Sequence, residues 1–117
     1  MSRLSLKRAY EASSPGDGKR ILVDRLWPRG VTKAEANIDL WLKNLSPSNN
    51  LRKAVHAGRT DWTGFLAAYA SELQAPLAAE AMAELRARIA AGPVTLIYAA
   101  KDEARNNAVA LAEILRL

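Results

Sequence analysis

The run 94-VTLIYAA-100 restricts the fold of this chain more than any other segment. It is short, unbroken in its apolarity and β-branched at its start, with Gly92-Pro93 before it and Lys101-Asp102 after it. Successive side chains of a strand point to opposite sides, so a continuous apolar strand needs cover on both faces. Amphipathic stripes elsewhere supply that cover. Trp62, Phe65, Leu66, Tyr69 and Leu73 repeat at helical spacing, as do Leu77, Ala81, Leu85 and Ile89 beyond Pro76. A last helix, capped by Asp102 and running to about Leu115, turns Ala108, Leu111, Ala112 and Leu115 inward. A buried strand among several such helices predicts an α/β fold. We expect one compact domain over residues 1–117, with a small, mainly parallel sheet of about three strands covered by several amphipathic helices.

The other strands lie near the N-terminus. Leu4, Leu6, Arg8 and Tyr10 share one parity of a first strand, and 20-RILVDRLW-27 supplies a second. The loop EASSPGDGK between them carries Ser-Pro and Asp-Gly breaks and is shorter than a helical crossover. The two strands are therefore expected as neighbours, joined by a hairpin or by a tight parallel crossover. Thr32 and Glu35 have the spacing of a capping box, and Ile38, Trp41, Leu42 and Leu45 continue at helical spacing from there. Ser46 then caps and Pro47 opens a further helix that runs to about Val55.

Composition narrows the chemistry. There is no cysteine and one histidine, His56, which removes thiol nucleophiles, disulfides and Cys/His zinc sites. No apolar run approaches the ~20 residues of a membrane span, and MSRLSLKRAY is not a secretion signal, so a cytoplasmic protein without membrane contact is expected. Residues 1–59 hold 12 Lys/Arg against 5 Asp/Glu, whereas residues 60–117 hold 5 against 7. The basic half favours an anionic partner.

Ligands of α/β proteins usually sit beyond the C-terminal ends of parallel strands. At those ends the sequence places Arg8 and Tyr10, then Asp24 to Arg29, then Lys101 and Asp102. In 22-LVDRLWPRGV-31, Pro28 and Gly30 shape a bend that presents Arg29, whose planar fork suits phosphate or carboxylate. Asp24 and Arg25 either fix that bend as structural charges or join the site, with Asp24 orienting an arginine or acting as a general base. Lys7, Arg8 and Lys101 add positive charge. Asn106 and Asn107 follow Asp102 in the first turns of the last helix, where they either meet an anion or bond to nearby strand ends. Trp27 either stacks on a base or, as tryptophan before proline more often does, forms a packed hinge; Trp41 and Trp62 read as core by their spacing. His56 reads as a cation at a helix C-terminus, and Arg52 and Lys53 as a solvated face.

These segments also resemble a known family. In 7-KRAY-10, 22-LVDRLWPRGV-31, 38-IDLWLKNLSPS-48, 51-LRK-53, 93-PVTLIYAAKDE-103 and 106-NNAVAL-111 the chain is similar, over nearly its whole length, to the YeaO-like branch of the bacterial domain of unknown function 488. That resemblance implies a compact α/β fold and no established reaction. More distant branches carry Cys-His, commonly followed by Arg, where this chain has Asn106, Asn107 and Ala108. Close relatives often have His in place of Arg105 and aromatic residues near Ala54-Val55. Imidazole or thiol catalysis is therefore not implied here.

The expected site residues are Arg8, Tyr10, Asp24, Arg25, Arg29, Lys101, Asp102, Asn106 and Asn107, with Asp24 the one catalytic candidate and no metal or cofactor. The expected partner is a phosphorylated or otherwise anionic small molecule, and a hydrolase or transferase reaction is compatible with that reading. The alternative is a non-catalytic nucleic-acid-binding or protein-interaction module.

Overall fold

A computed structural model describes residues 4–116. Strands β1 (Leu4–Arg8), β2 (Lys19–Leu22), β3 (Leu40–Trp41) and β4 (Val94–Tyr98) form one sheet in the order β1-β4-β2-β3. Every pairing is parallel. The last strand in the chain lies between the first two, so the expected neighbouring of β1 and β2 is corrected. The reason is burial: β4 is covered at every position, and only an interior place in the sheet provides that.

The helices are α1 (Lys33–Ala36), α2 (Asn49–His56), α3 (Trp62–Glu72), α4 (Pro76–Ala91) and α5 (Asn107–Leu115). The principal core joins Val94, Leu96 and Tyr98 of β4 and Ile21 of β2 to Phe65 and Tyr69 of α3, Leu85 of α4 and Leu111 of α5. The opposite parity, Leu22 and Ile97, packs with Ala9 against Trp27, Ile38 and Trp41. One face of the sheet is thus covered by helices and the other by the irregular segment between β2 and the start of α2. Leu77, expected in the α4 stripe, is exposed, because it sits in the helix's first turn outside the packed arc of Ala78, Ala81, Met82 and Leu85.

The helix expected from Thr32 to Leu45 is corrected. The capping box forms, with Glu35 N–H donating to Thr32 Oγ1 at 3.1 Å and Thr32 N–H to Glu35 Oε1 at 3.0 Å. The helix nevertheless stops after four residues, where Asn37 turns left-handed at φ 48°. Arg20 explains the stop: its guanidinium donates to the Ala36 and Asn37 carbonyls at 2.8–3.2 Å, occupying acceptors that a longer helix would use. The chain then runs as β3 beside β2, and Lys43–Leu45 make a 3-10 turn. Two further caps differ in position. Ser48, not Ser46, caps α2, and Asn106, not Asp102, caps α5.

Under the sheet's thinner face, Asp17 binds Lys7 of β1 at 2.9 Å and Arg20 of β2 at 2.6 Å, while its carbonyl accepts from Thr95 of β4 at 2.7 Å. Gly18 turns into β2 at φ +65°, so close to Pro93 that an added Cβ would run into the Pro93 carbonyl. That carbonyl accepts the first bond of β2, from Lys19 N–H at 3.0 Å. Gly18→Ala is accordingly expected to lower the unfolding free energy by roughly 1–3 kcal/mol in urea denaturation, from left-handed strain and the lost approach. An unchanged midpoint would refute this account of the β2 start.

Candidate functional site

A cleft of about 410 Å³ opens beyond the C-terminal ends of β2 and β4, the two central strands. The chain after β2 forms one wall. Its bend is fixed from several sides: Trp27 Nε1 donates to the Val31 carbonyl at 2.7 Å, Gly30 adopts φ +79°, and the Tyr10 hydroxyl donates to the Arg29 carbonyl at 3.1 Å. Trp27 meets Trp41 edge to face at 5.6 Å, as a packed hinge. The backbone is held, while the Arg25 and Arg29 side chains stay exposed along the cleft.

Asp24 organises the floor. Its Oδ2 accepts from Ala99 N–H at 2.9 Å, its Oδ1 from Asn107 Nδ2 at 2.9 Å, and its carbonyl from Trp41 Nε1 at 2.7 Å. Asn107 Nδ2 also reaches the Val23 carbonyl at 3.2 Å. The carboxylate therefore ties the ends of β2 and β4 to the first residue of α5. Burial pushes the Asp24 carboxyl above its ordinary value, against the Asn107 and Ala99 hydrogen bonds and the more distant Arg52 charge. No ion pair joins Asp24 to Arg25 among the described residues.

The remaining walls come from α2, α3 and the turn before α5. Arg52 and His56 are four residues apart on α2 and so share a face, Trp62 opens α3, and Arg105 precedes α5. Four arginines, Arg25, Arg29, Arg52 and Arg105, thus surround a single carboxylate, Asp24. A cleft with this balance attracts anions, and guanidinium groups offer bidentate geometry to phosphate or carboxylate.

Of the residues expected from the sequence, Tyr10, Asp24, Arg25, Arg29, Asn106 and Asn107 line this cleft. Asn106 is spent on structure: its side chain accepts from Val109 N–H at 2.9 Å and donates to the Asp102 carbonyl at 2.8 Å. Arg8 lies outside the lining and braces it from behind, donating to the Ala100 and Ala99 carbonyls at 2.9 and 3.3 Å. Lys101 and Asp102 do not line the cleft either. Asp102 closes a turn by accepting from Ala104 and Arg105 amides, which hold its carboxyl below the ordinary range. Lys7 is committed to Asp17.

Arg52, His56, Trp62 and Arg105 also line the cleft and are not among the residues expected from the sequence. The four-residue spacing of Arg52 and His56 was a usable signal, whereas Trp62 sits in a stripe that reads as core and Arg105 in a turn without pattern. Among the described residues no three His, Asp or Glu side chains cluster as a metal site would require.

A family model described as the inactive DUF488-N3 subclade matches residues 3–117. The chain is 40% identical to the uncharacterized protein YeaO of Escherichia coli K12 over 114 residues, covering 97% of this chain and 96% of YeaO. It is 36% identical to the uncharacterized protein Rv3073c of Mycobacterium tuberculosis H37Rv, again over 114 residues, covering 97% and 94% of the two chains. No solved structure matches it significantly.

Proposed function

From the premise that the chain is a YeaO-like member of the DUF488 family, within its inactive N3 subclade, we propose that it binds a phosphorylated or otherwise anionic small molecule without transforming it. The observation that carries this reading is the set of four arginines around the lone Asp24 at the ends of the central strands. Asp24 is engaged through both oxygens in holding Ala99 and Asn107, which makes it a positioning group rather than a base. No helix among the described residues is long and apolar enough to cross a membrane.

Thermal melts with inorganic phosphate and pyrophosphate test the proposal. A ligand at a hundred times its Kd stabilises the folded state by about 2.7 kcal/mol, a readily measured rise in Tm. Arg29→Ala should leave the Tm of the free protein nearly unchanged, because an exposed substitution changes stability by within about 0.5 kcal/mol. It should abolish most of the ligand-induced rise. Arg29→Lys keeps the charge but loses the planar fork, and should also weaken anion binding. Collapse of the free protein on Arg29→Ala would make the bend a structural clamp. Binding only to long nucleic acid, with affinity falling steeply in salt, would replace the small-ligand reading.

A further inference from the structure

We infer that the anion is carried by a planar aromatic body of mononucleotide size, whose ring stacks on Trp62 beneath Arg105; this deepens the anion-site reading and rests on it. Trp62 is built as a platform. Its indole stacks on Phe65 with centroids 5.4 Å apart and planes inclined by 30°, and its Nε1 donates to Glu113 Oε2 at 3.2 Å. These two contacts fix the ring's tilt and rotation, so its orientation is set before any ligand arrives. Phe65 covers one face of the indole. The Arg105 guanidinium carbon lies 5.9 Å from the ring centroid, at the outer limit of a cation–π contact, and Arg105 is exposed. Its hold over the indole is therefore loose, and it can be displaced by a flat ring or close over one.

The rest of the cleft fits the same ligand. Arg25 and Arg29 line the same cleft from the bend after β2, and make no hydrogen bond or ion pair through their side chains among the described residues. A cleft of about 410 Å³ is larger than a single phosphate needs and lies in the range of small-molecule sites. Its lining also includes the apolar side chains of Pro47, Val55 and Phe65. An aromatic ring at Trp62 and a phosphate at Arg25 and Arg29 use both properties, whereas an inorganic anion leaves the tryptophan and the apolar lining idle.

The test compares adenosine 5′-monophosphate, ribose 5-phosphate and inorganic phosphate by calorimetric titration and tryptophan fluorescence. Adenosine 5′-monophosphate should bind at least about tenfold more tightly than ribose 5-phosphate, as one stacked base contributes by this order, and should quench the emission. Trp62→Leu should remove that preference and leave ribose 5-phosphate affinity unchanged. Because Trp62 packs on Phe65, Arg105 provides a second variant that does not threaten the fold. Arg105→Ala should weaken the nucleotide several-fold more than ribose 5-phosphate. Arg105→Lys, which keeps the charge but not the planar group, should show most of the same loss. Equal affinity for the nucleotide and for ribose 5-phosphate overturns the inference while leaving the anion site intact. Failure of all three probes to bind overturns both. Full nucleotide preference in Arg105→Lys removes Arg105 from the stacked arrangement and overturns the placement of the ring beneath it.

Discussion

Asp17→Ala is expected to destabilise the protein by about 3–5 kcal/mol, because it strands a buried guanidinium without its counter-charge. Arg20 is only 2% exposed and Asp17 7% exposed. The carboxylate meets Arg20 Nη1 at 2.6 Å and Lys7 Nζ at 2.9 Å, and accepts from the Ser14 amide and hydroxyl at 3.0 Å each. Arg20 cannot readily swing out to water instead, since its Nε and Nη2 are held on the Ala36 and Asn37 carbonyls. Asp17→Asn keeps the shape but not the charge and should recover only part of the loss. Burial raises the Asp17 carboxyl, but Lys7, the Ser14 amide and Arg20 together pull it well below the ordinary carboxylate range. The sign follows: the folded state holds this proton less tightly than the unfolded chain. The contribution is therefore fully present above the unfolded value of about 3.9 and is lost as pH falls through the lower folded value. Urea midpoints from neutral to acid pH, compared between the natural chain and Asp17→Asn, measure it. A loss below about 1 kcal/mol at neutral pH would show that the cluster is solvated and not structural.

Asp24→Ala should cost about 2–4 kcal/mol, for a different reason. Two donors, the Ala99 amide and Asn107 Nδ2, lose their acceptor, and each such loss costs about 1–3 kcal/mol when the donor stays buried. Asn107 retains the Val23 carbonyl, which keeps the sum below its maximum. The consequence reaches the cleft, because the same bonds align the end of β4 with α5. Loosening them should reduce ligand affinity as well as stability, and faster hydrogen exchange at the Ala99 amide would locate the damage.

The pH dependence of Asp24 is opposite to that of Asp17. Its carboxyl is raised, so the folded state holds the proton more tightly than the unfolded chain does. Its contribution favours folding below the unfolded value near 3.9 and is lost as pH rises through the higher folded value. Asp24→Asn removes this ionisation cost but turns one amide donor towards another at Asn107. It should therefore fall between the natural chain and Asp24→Ala at neutral pH, and should flatten this part of the stability profile. A variant as unstable as Asp24→Ala, with an unchanged profile, would show that the titration lies elsewhere.

The sequence by itself determined those elements whose patterns are long and local. The stripes of α3 and α5, the capping box at Thr32 and Glu35, the doubly covered β4 and the bend at Trp27-Pro28-Arg29-Gly30 follow from spacing, propensity and turn chemistry within about one element's length. The family is legible in the same segments. Only tertiary structure decided the rest. Leu40-Trp41 is too short to show a strand period, and its neighbours Ile38, Leu42 and Leu45 fit a helix equally well. What makes it a strand is Arg20, nineteen residues before Asp39, whose backbone N–H binds the Asp39 carboxylate at 2.8 Å and whose guanidinium ends α1. The insertion of β4 between β1 and β2 is equally invisible locally, since a parallel partner leaves no turn signature beside it. The cleft depends on that insertion. It brings Asp24 against Ala99 and Asn107, across 75 and 83 positions of chain, and sets Arg52 and Arg105 in the same cleft as Arg25 and Arg29. Periodicity reports which face of an element is buried. It carries no information about which elements meet at their ends, and an arginine-lined cleft is made of ends.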